Sequence, residues 1–102
     1  MDNAILVVRS NPVPGREDEY NKWYDGQHLP EILAIPGFAA ARRYVLHGTP
    51  QAPPEFRYLT IYEIEGEVGD ALARLASAEL TASDSLDEGV SVVPYVPHAP
   101  AP

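Results

Sequence analysis

An α+β fold, with a four-stranded antiparallel sheet and its helices on one face, is predicted by three features of the sequence. Periodicity runs strand, helix, strand, strand, helix, strand along 102 residues. The two middle strands flank a single proline-rich loop, as a long-tipped antiparallel hairpin requires. Both faces of the strands are apolar, so the face turned away from the helices needs a cover of its own.

Each element has a local reason. Ala4 to Arg9 (AILVVR) is a continuous apolar run, short enough for a strand buried on both faces. Ser10 to Gly15 reads as a turn, and Arg16 opens a helix whose first turn holds Glu17, Asp18 and Glu19, where the helix dipole stabilises negative charge. That helix is expected to run to about Gly26, because Pro30 disfavours the α region at Leu29. Pro30 then begins a short helical turn through Ala34, closed by Ile35-Pro36-Gly37.

Phe38 to His47 alternates as a strand. Phe38, Ala40, Arg42, Tyr44 and Leu46 are expected on one face, Ala39, Ala41, Arg43, Val45 and His47 on the other. After the proline-rich stretch Gly48 to Glu55, Phe56 to Glu65 places Tyr58, Thr60, Tyr62 and Ile64 opposite Leu59, Ile61 and Glu63. Glu67 to Leu80 is an amphipathic helix with Val68, Leu72, Leu75, Ala76 and Leu80 along its stripe. Glu79 projects onto that stripe, as a cavity carboxylate or a solvated end residue. Val90 to Val96 is the last strand, where Pro94 suits an edge or a bulge. The order is the split βαβ arrangement of ferredoxin-like folds. Residues 1–96 form the single domain and 97–102 a Pro/Ala tail.

Composition narrows the function. A formal charge of -8, with seven Lys and Arg residues in no run, argues against nucleic acid as a partner. There is no cysteine, hence no thiolate nucleophile, disulfide or thiolate metal site. No two of the three histidines lie at ligand spacing, so no metal site is expected. Ala4 to Val8 is too brief for a signal peptide or a membrane span, which points to a cytoplasmic protein without a membrane partner. A domain of this size gains from pairing with a copy of itself, and a homodimer would cover the second sheet face.

The chemistry concentrates in Tyr20 to Gly37. At 100° per residue Tyr20, Trp23, Tyr24, Gln27 and His28 share one stripe about 140° wide. His28 therefore lies on a face with three aromatic rings. Three roles are open to it: proton transfer near neutrality, a ligand-orienting hydrogen bond, or a cap on the helix C-terminus. Asp25, three residues earlier, is a candidate for holding the ring in one tautomer, with a solvated acid as the plainer reading. Tyr24, one turn before His28, is the candidate oxyanion donor, with an ordinary buried tyrosine as the alternative. Tyr20, Trp23, Tyr58 and Tyr62 are the candidate substrate-binding rings. Tyr20 and Trp23 are by type more often core than ligand platform, and Tyr58 and Tyr62 line either a pocket or a dimer core. Arg42 and Arg43 lie on opposite strand faces, so one of them points inward, where it would hold a carboxylate or join a surface ion pair.

With Gly15, Tyr20, Trp23-Tyr24, His28, Pro30, Pro36-Gly37-Phe38 and Arg43-Tyr44 in view, the sequence resembles the EthD-like members of the dimeric α+β barrel superfamily. Tyr58-Leu59 and Ile61-Tyr62-Glu63 match more loosely. The resemblance implies two sheets paired into a barrel, a pocket between helices and sheet in each subunit, and the histidine role at His28. Relatives include cofactor-free polyketide cyclases, muconolactone-type isomerases, small monooxygenases and proteins found beside catabolic enzymes.

No Gly-rich phosphate loop, dinucleotide fingerprint or Ser or Cys nucleophile motif is present. The expectation is cofactor-free acid-base catalysis on a small apolar or aromatic carbonyl compound, of isomerase, lyase, cyclase or monooxygenase type. His28 is then the proton carrier and Tyr24 its partner. The alternative is a non-catalytic metabolite-binding or accessory protein using the same pocket.

Overall fold

A computed structural model describes residues 3–48 and 56–99. Strand β1 (Ala4–Ser10) is followed by α1 (Glu17–Trp23), a π-helical turn (Tyr24–His28) and α2 (Leu29–Leu33) without a break. Strands β2 (Phe38–Val45) and β3 (Tyr58–Ile64), helix α3 (Val68–Ser77) and strand β4 (Ser91–Tyr95) complete the chain. The fold is α+β and ferredoxin-like: one antiparallel sheet in the order β2-β3-β1-β4, with the most apolar strand, β1, paired on both sides. Pro94 lies in β4, an edge strand, where its missing N–H costs the sheet least. The expected tip of the hairpin at residues 49–55 and the tail at residues 100–102 lie outside the described residues.

Helix and sheet meet through residues of one parity. Leu6 and Val8 of β1, Tyr62 and Ile64 of β3 and Phe38 of β2 pack with Ile32 of α2 and Ala71 of α3. Gly37 allows the turn before β2 to approach α3, because its φ is +104° and a Cβ there would lie 3.2 Å from the Cβ of Ala71. Arg74 reaches the same turn, donating to the Pro36 carbonyl at 3.2 Å.

Three local expectations are corrected. The first helix does not stop near Gly26, and Leu29 is α-helical at φ −59° and ψ −51°. The Leu29 N–H reaches back five residues to the Tyr24 carbonyl, and this wider turn relieves the clash a Pro30 ring makes in a regular helix. In β2 a bulge between Phe38 and Ala40 breaks the alternation. Phe38 therefore faces the helices together with Ala41 and Arg43, while Ala40, Arg42 and Tyr44 share the parity of Leu59, Ile61 and Glu63. The third helix ends at Ser77 and Ala78 is extended, so Glu79 has left the helix and is exposed.

From Ala78 to Val90 the chain crosses back over the helical side as an irregular strap. Its far half is stitched to the loop after β1 through Val13 N–H to the Ser85 carbonyl at 2.7 Å and Asp87 N–H to the Asn11 carbonyl at 2.9 Å. The opposite face of the sheet carries no helix among the described residues. Ile5, Val7, Leu59, Ile61, Val93 and the half-exposed Tyr44 and Tyr95 give it an apolar centre, with Arg9, Arg42 and Glu63 on the same face.

Candidate functional site

A cavity of about 240 Å³ lies between the helical layer, the sheet and the strap. Leu6, Val8 and Ser10 of β1 and Tyr62 of β3 form its floor. The π turn and its flanks supply Trp23, Tyr24, His28 and Ile32. Leu75, Leu80 and Leu86 close the remaining side, and Val90 and Val92, both exposed, mark the rim near the β4 edge. The size is slightly below the ~300–1,000 Å³ of pockets for drug-sized ligands, which suits a small guest.

The walls are apolar and the polar atoms are few. The imidazole of His28 stacks on the indole of Trp23 (centroids 4.7 Å apart, 28° between planes) and meets Tyr24 edge-on at 4.8 Å. Its Nδ1 is buried and has no hydrogen-bond partner among the described residues. Burial pushes the ring's pKa below its ordinary value and the guanidinium of Arg43 adds to this, while the carboxylate of Glu31 pulls the other way. A neutral imidazole is the form such surroundings favour.

Tyr24, Thr60 and Tyr62 make a buried hydroxyl cluster beside that ring. Thr60 Oγ1 donates to the Tyr24 oxygen at 3.0 Å, and the Tyr24 and Tyr62 oxygens are 3.4 Å apart. Since Tyr24 accepts from Thr60, its own O–H is left to donate to Tyr62 or into the cavity. Burial pushes the Tyr62 phenol well above its usual range, with Tyr24 beside it contributing in the same direction, so Tyr62 serves as a neutral donor or acceptor. Ser10 Oγ and Tyr20 OH are 2.6 Å apart on the other side of the cluster.

Positive charge stands behind this wall. Arg43 places its guanidinium carbon 4.3 Å from the centroid of the Tyr24 ring, 5.1 Å from Tyr58 and 5.4 Å from Tyr20. It donates to Asp25 Oδ1 and Asn21 Oδ1, each at 2.9 Å. Asp25 is therefore engaged with Arg43 and not with His28. Arg43 is the inward member of the Arg42–Arg43 pair, and it holds a carboxylate of its own chain.

Of the residues singled out in the sequence, Trp23, Tyr24, His28 and Tyr62 come together on the cavity wall. Tyr20 and Tyr58 do not border it. Tyr20 is fully buried behind Ser10, and Tyr58 bonds Asn21 at 3.1 Å and Glu17 at 2.5 Å. That phenol holds the Glu17 carboxyl below its usual range. Glu79 and Arg42 are exposed and away from the cavity, as are His47 and His98, and no group of three His, Asp or Glu residues able to hold a metal occurs among the described residues.

Sequence reading missed Ser10, Thr60 and the strap. Ser10 has the parity of Leu6 and Val8, and strand alternation already puts Thr60 on the face of Tyr58 and Tyr62, but neither is marked by it as part of a site. Leu80, Leu86 and Val90 lie in an aperiodic segment that offers no such signal.

No protein-family model matches this chain, and no curated protein does. Among solved structures it is similar to a crystal structure of an ethyl tert-butyl ether D (EthD) family protein from Bacillus halodurans, with 11% sequence identity and a TM-score of 0.64 over 93% of this chain and 99% of that one. At that identity the likeness concerns the path of the backbone. The chain thus has the EthD-like α+β fold.

Proposed function

We propose that this protein is a cofactor-free acid-base enzyme acting on a small, uncharged apolar or aromatic carbonyl compound. The supporting observation is an imidazole at the wall of an apolar cavity whose pKa burial lowers, with its Nδ1 buried and without a hydrogen-bond partner among the described residues. A neutral imidazole takes a proton from carbon next to a carbonyl, and the Tyr24 hydroxyl donates to the oxygen on which negative charge develops. Thr60 supports that donation by occupying the lone pair side of Tyr24, and Arg43 behind the ring favours negative charge in front of it. One positioned base contributes about 10²- to 10⁴-fold, and cavity shape supplies the orientation. Isomerisation, dehydration and cyclisation begin with this proton transfer, and oxygenation of a phenol begins with the corresponding removal of its O–H proton. Trp23 and Tyr62 flank the guest, while Tyr20 and Tyr58 hold the wall from behind. The working unit in this proposal is a homodimer in which a second copy covers the open sheet face, and its compartment is the cytoplasm.

A second reading, a non-catalytic metabolite-binding protein, is favoured by one feature: among the described residues no carboxylate borders the cavity as a second acid or base. Deuterium exchange separates the two. In D₂O, a panel of cyclic diketones and acylphenols is followed by proton NMR for loss of the signal next to the carbonyl. We expect exchange with the protein and its loss in His28→Gln, with thermal midpoint and mass retained. Exchange that persists in His28→Gln removes the catalytic role, and compounds that bind without exchanging support the binding protein.

A further inference from the structure

A histidine that works by proton transfer has its ring fixed, usually by a hydrogen bond from one nitrogen to a carboxylate or carbonyl. His28 lacks that device. Nδ1 has no partner among the described residues, and the nearest acid in sequence, Asp25, is bound to Arg43. What holds the ring is its two aromatic neighbours, of which Trp23 lies face to face with it.

The indole is itself held from the strap. Trp23 Nε1 donates to the Thr81 carbonyl at 2.9 Å. The N–H of the same residue donates to both oxygens of the Glu31 carboxylate at 3.1 Å, and Thr81 Oγ1 donates to Glu31 Oε2 at 3.0 Å. Three contacts to one carboxylate thus seat the Thr81 peptide against α2, three residues beyond His28. Leu80, next to that peptide, borders the cavity. The aromatic face of α1, the catalytic candidate and the near end of the strap are tied at one point.

We infer that Glu31 is a positioning residue for His28, acting through the Thr81 peptide and the Trp23 indole. The chain of contacts replaces the missing hydrogen bond to the imidazole. It rests on the proposed role of His28 for its significance, but the coupling itself can be measured without any substrate.

Trp23 is the sole tryptophan, so its indole N–H gives a single resonance, and His28 is assigned among the three histidines by its loss in His28→Gln. In Glu31→Ala we expect indole N–H exchange with solvent to rise about tenfold, as for loss of a hydrogen bond to a charged group. The ring C–H signals of His28 should shift at the same time toward those of the exposed His47 and His98 as the stack loosens. Glu31→Gln, whose amide oxygen still accepts from Thr81, should restore most of both. Thr81→Val, which removes only the hydroxyl donor, should move both the same way by less, and it decides the matter if Glu31→Ala fails to fold. An unchanged indole exchange rate, or a freer indole with His28 signals unmoved, overturns the inference. Failure of the deuterium-exchange assay alone leaves this coupling intact and removes only its catalytic purpose.

Discussion

The bond between Ser10 and Tyr20 ties the strand at the cavity floor to the helix that carries Trp23, Tyr24 and His28. Both side chains are no more than 2% exposed, and their oxygens lie 2.6 Å apart. Tyr20→Phe keeps the ring and its packing but leaves the Ser10 hydroxyl buried without this partner. A neutral hydrogen bond contributes about 1 kcal/mol net, and an orphaned buried group costs ~1–3 kcal/mol. Ser10 borders the cavity, which has room for a water beside the freed hydroxyl, so the lower part of the range applies: about 1–2 kcal/mol. For a domain of this size each kcal/mol moves the thermal midpoint by ~4–8 °C, so Tyr20→Phe should melt roughly 5–15 °C lower. Ser10→Ala should cost a similar amount by orphaning the tyrosine. Because removing both partners is nearly neutral, the double variant should be destabilised by less than the sum of the two, with a coupling of about 1 kcal/mol. The assay is thermal and urea unfolding by circular dichroism at one fixed protein concentration, since self-association shifts the midpoint. A Tyr20→Phe cost below ~0.3 kcal/mol, or strictly additive losses in the double variant, refutes the reasoning.

Two further outcomes follow from charge and exposure. Because burial lowers the pKa of His28, the folded state binds fewer protons than the unfolded chain, whose histidine titrates near 6.5; stability should rise with pH through that region and fall as pH drops below it. His28→Gln should remove that part of the slope, so identical slopes for the two proteins between about pH 5 and 7.5 would falsify the assignment. On the open sheet face, Ile61→Asp should convert a species of twice the 11.1 kDa chain mass into a single-chain one by native mass spectrometry; a wild-type protein that is already monomeric at micromolar concentration ends the dimer proposal.

The fold was legible where one physical rule dominates. In β3 the alternation of Tyr58, Thr60, Tyr62 and Ile64 with Leu59, Ile61 and Glu63 is uninterrupted, and the strand follows it. In β2 the same rule misplaces Phe38 relative to Ala40 and Arg42, since a bulge leaves no mark among Phe38, Ala39, Ala40 and Ala41. Pro30 was the hardest case. Its local preference favours a break, yet burial of Ile32 against the sheet and of Tyr24 below it rewards continuation, and a single widened turn satisfies both. The aromatic stripe of Tyr20, Trp23 and Tyr24 was legible because helical spacing placed all three on the buried side. The cavity was not, because Leu80, Leu86 and Val90 of its wall come from an aperiodic strap that only tertiary contacts position.

A π turn holds one more residue than the α-helical turn it replaces, while the helix on either side keeps its own register. Between Trp23 and Leu29 this chain carries such a surplus residue, and both His28 and Tyr24 lie inside that stretch. Shortening the stretch by one position would return an ordinary helix that still buries Tyr20 and Ile32, but with the imidazole carried off its present bearing. The direction in which this chain presents a histidine to the hollow therefore depends on a single surplus position in its helix.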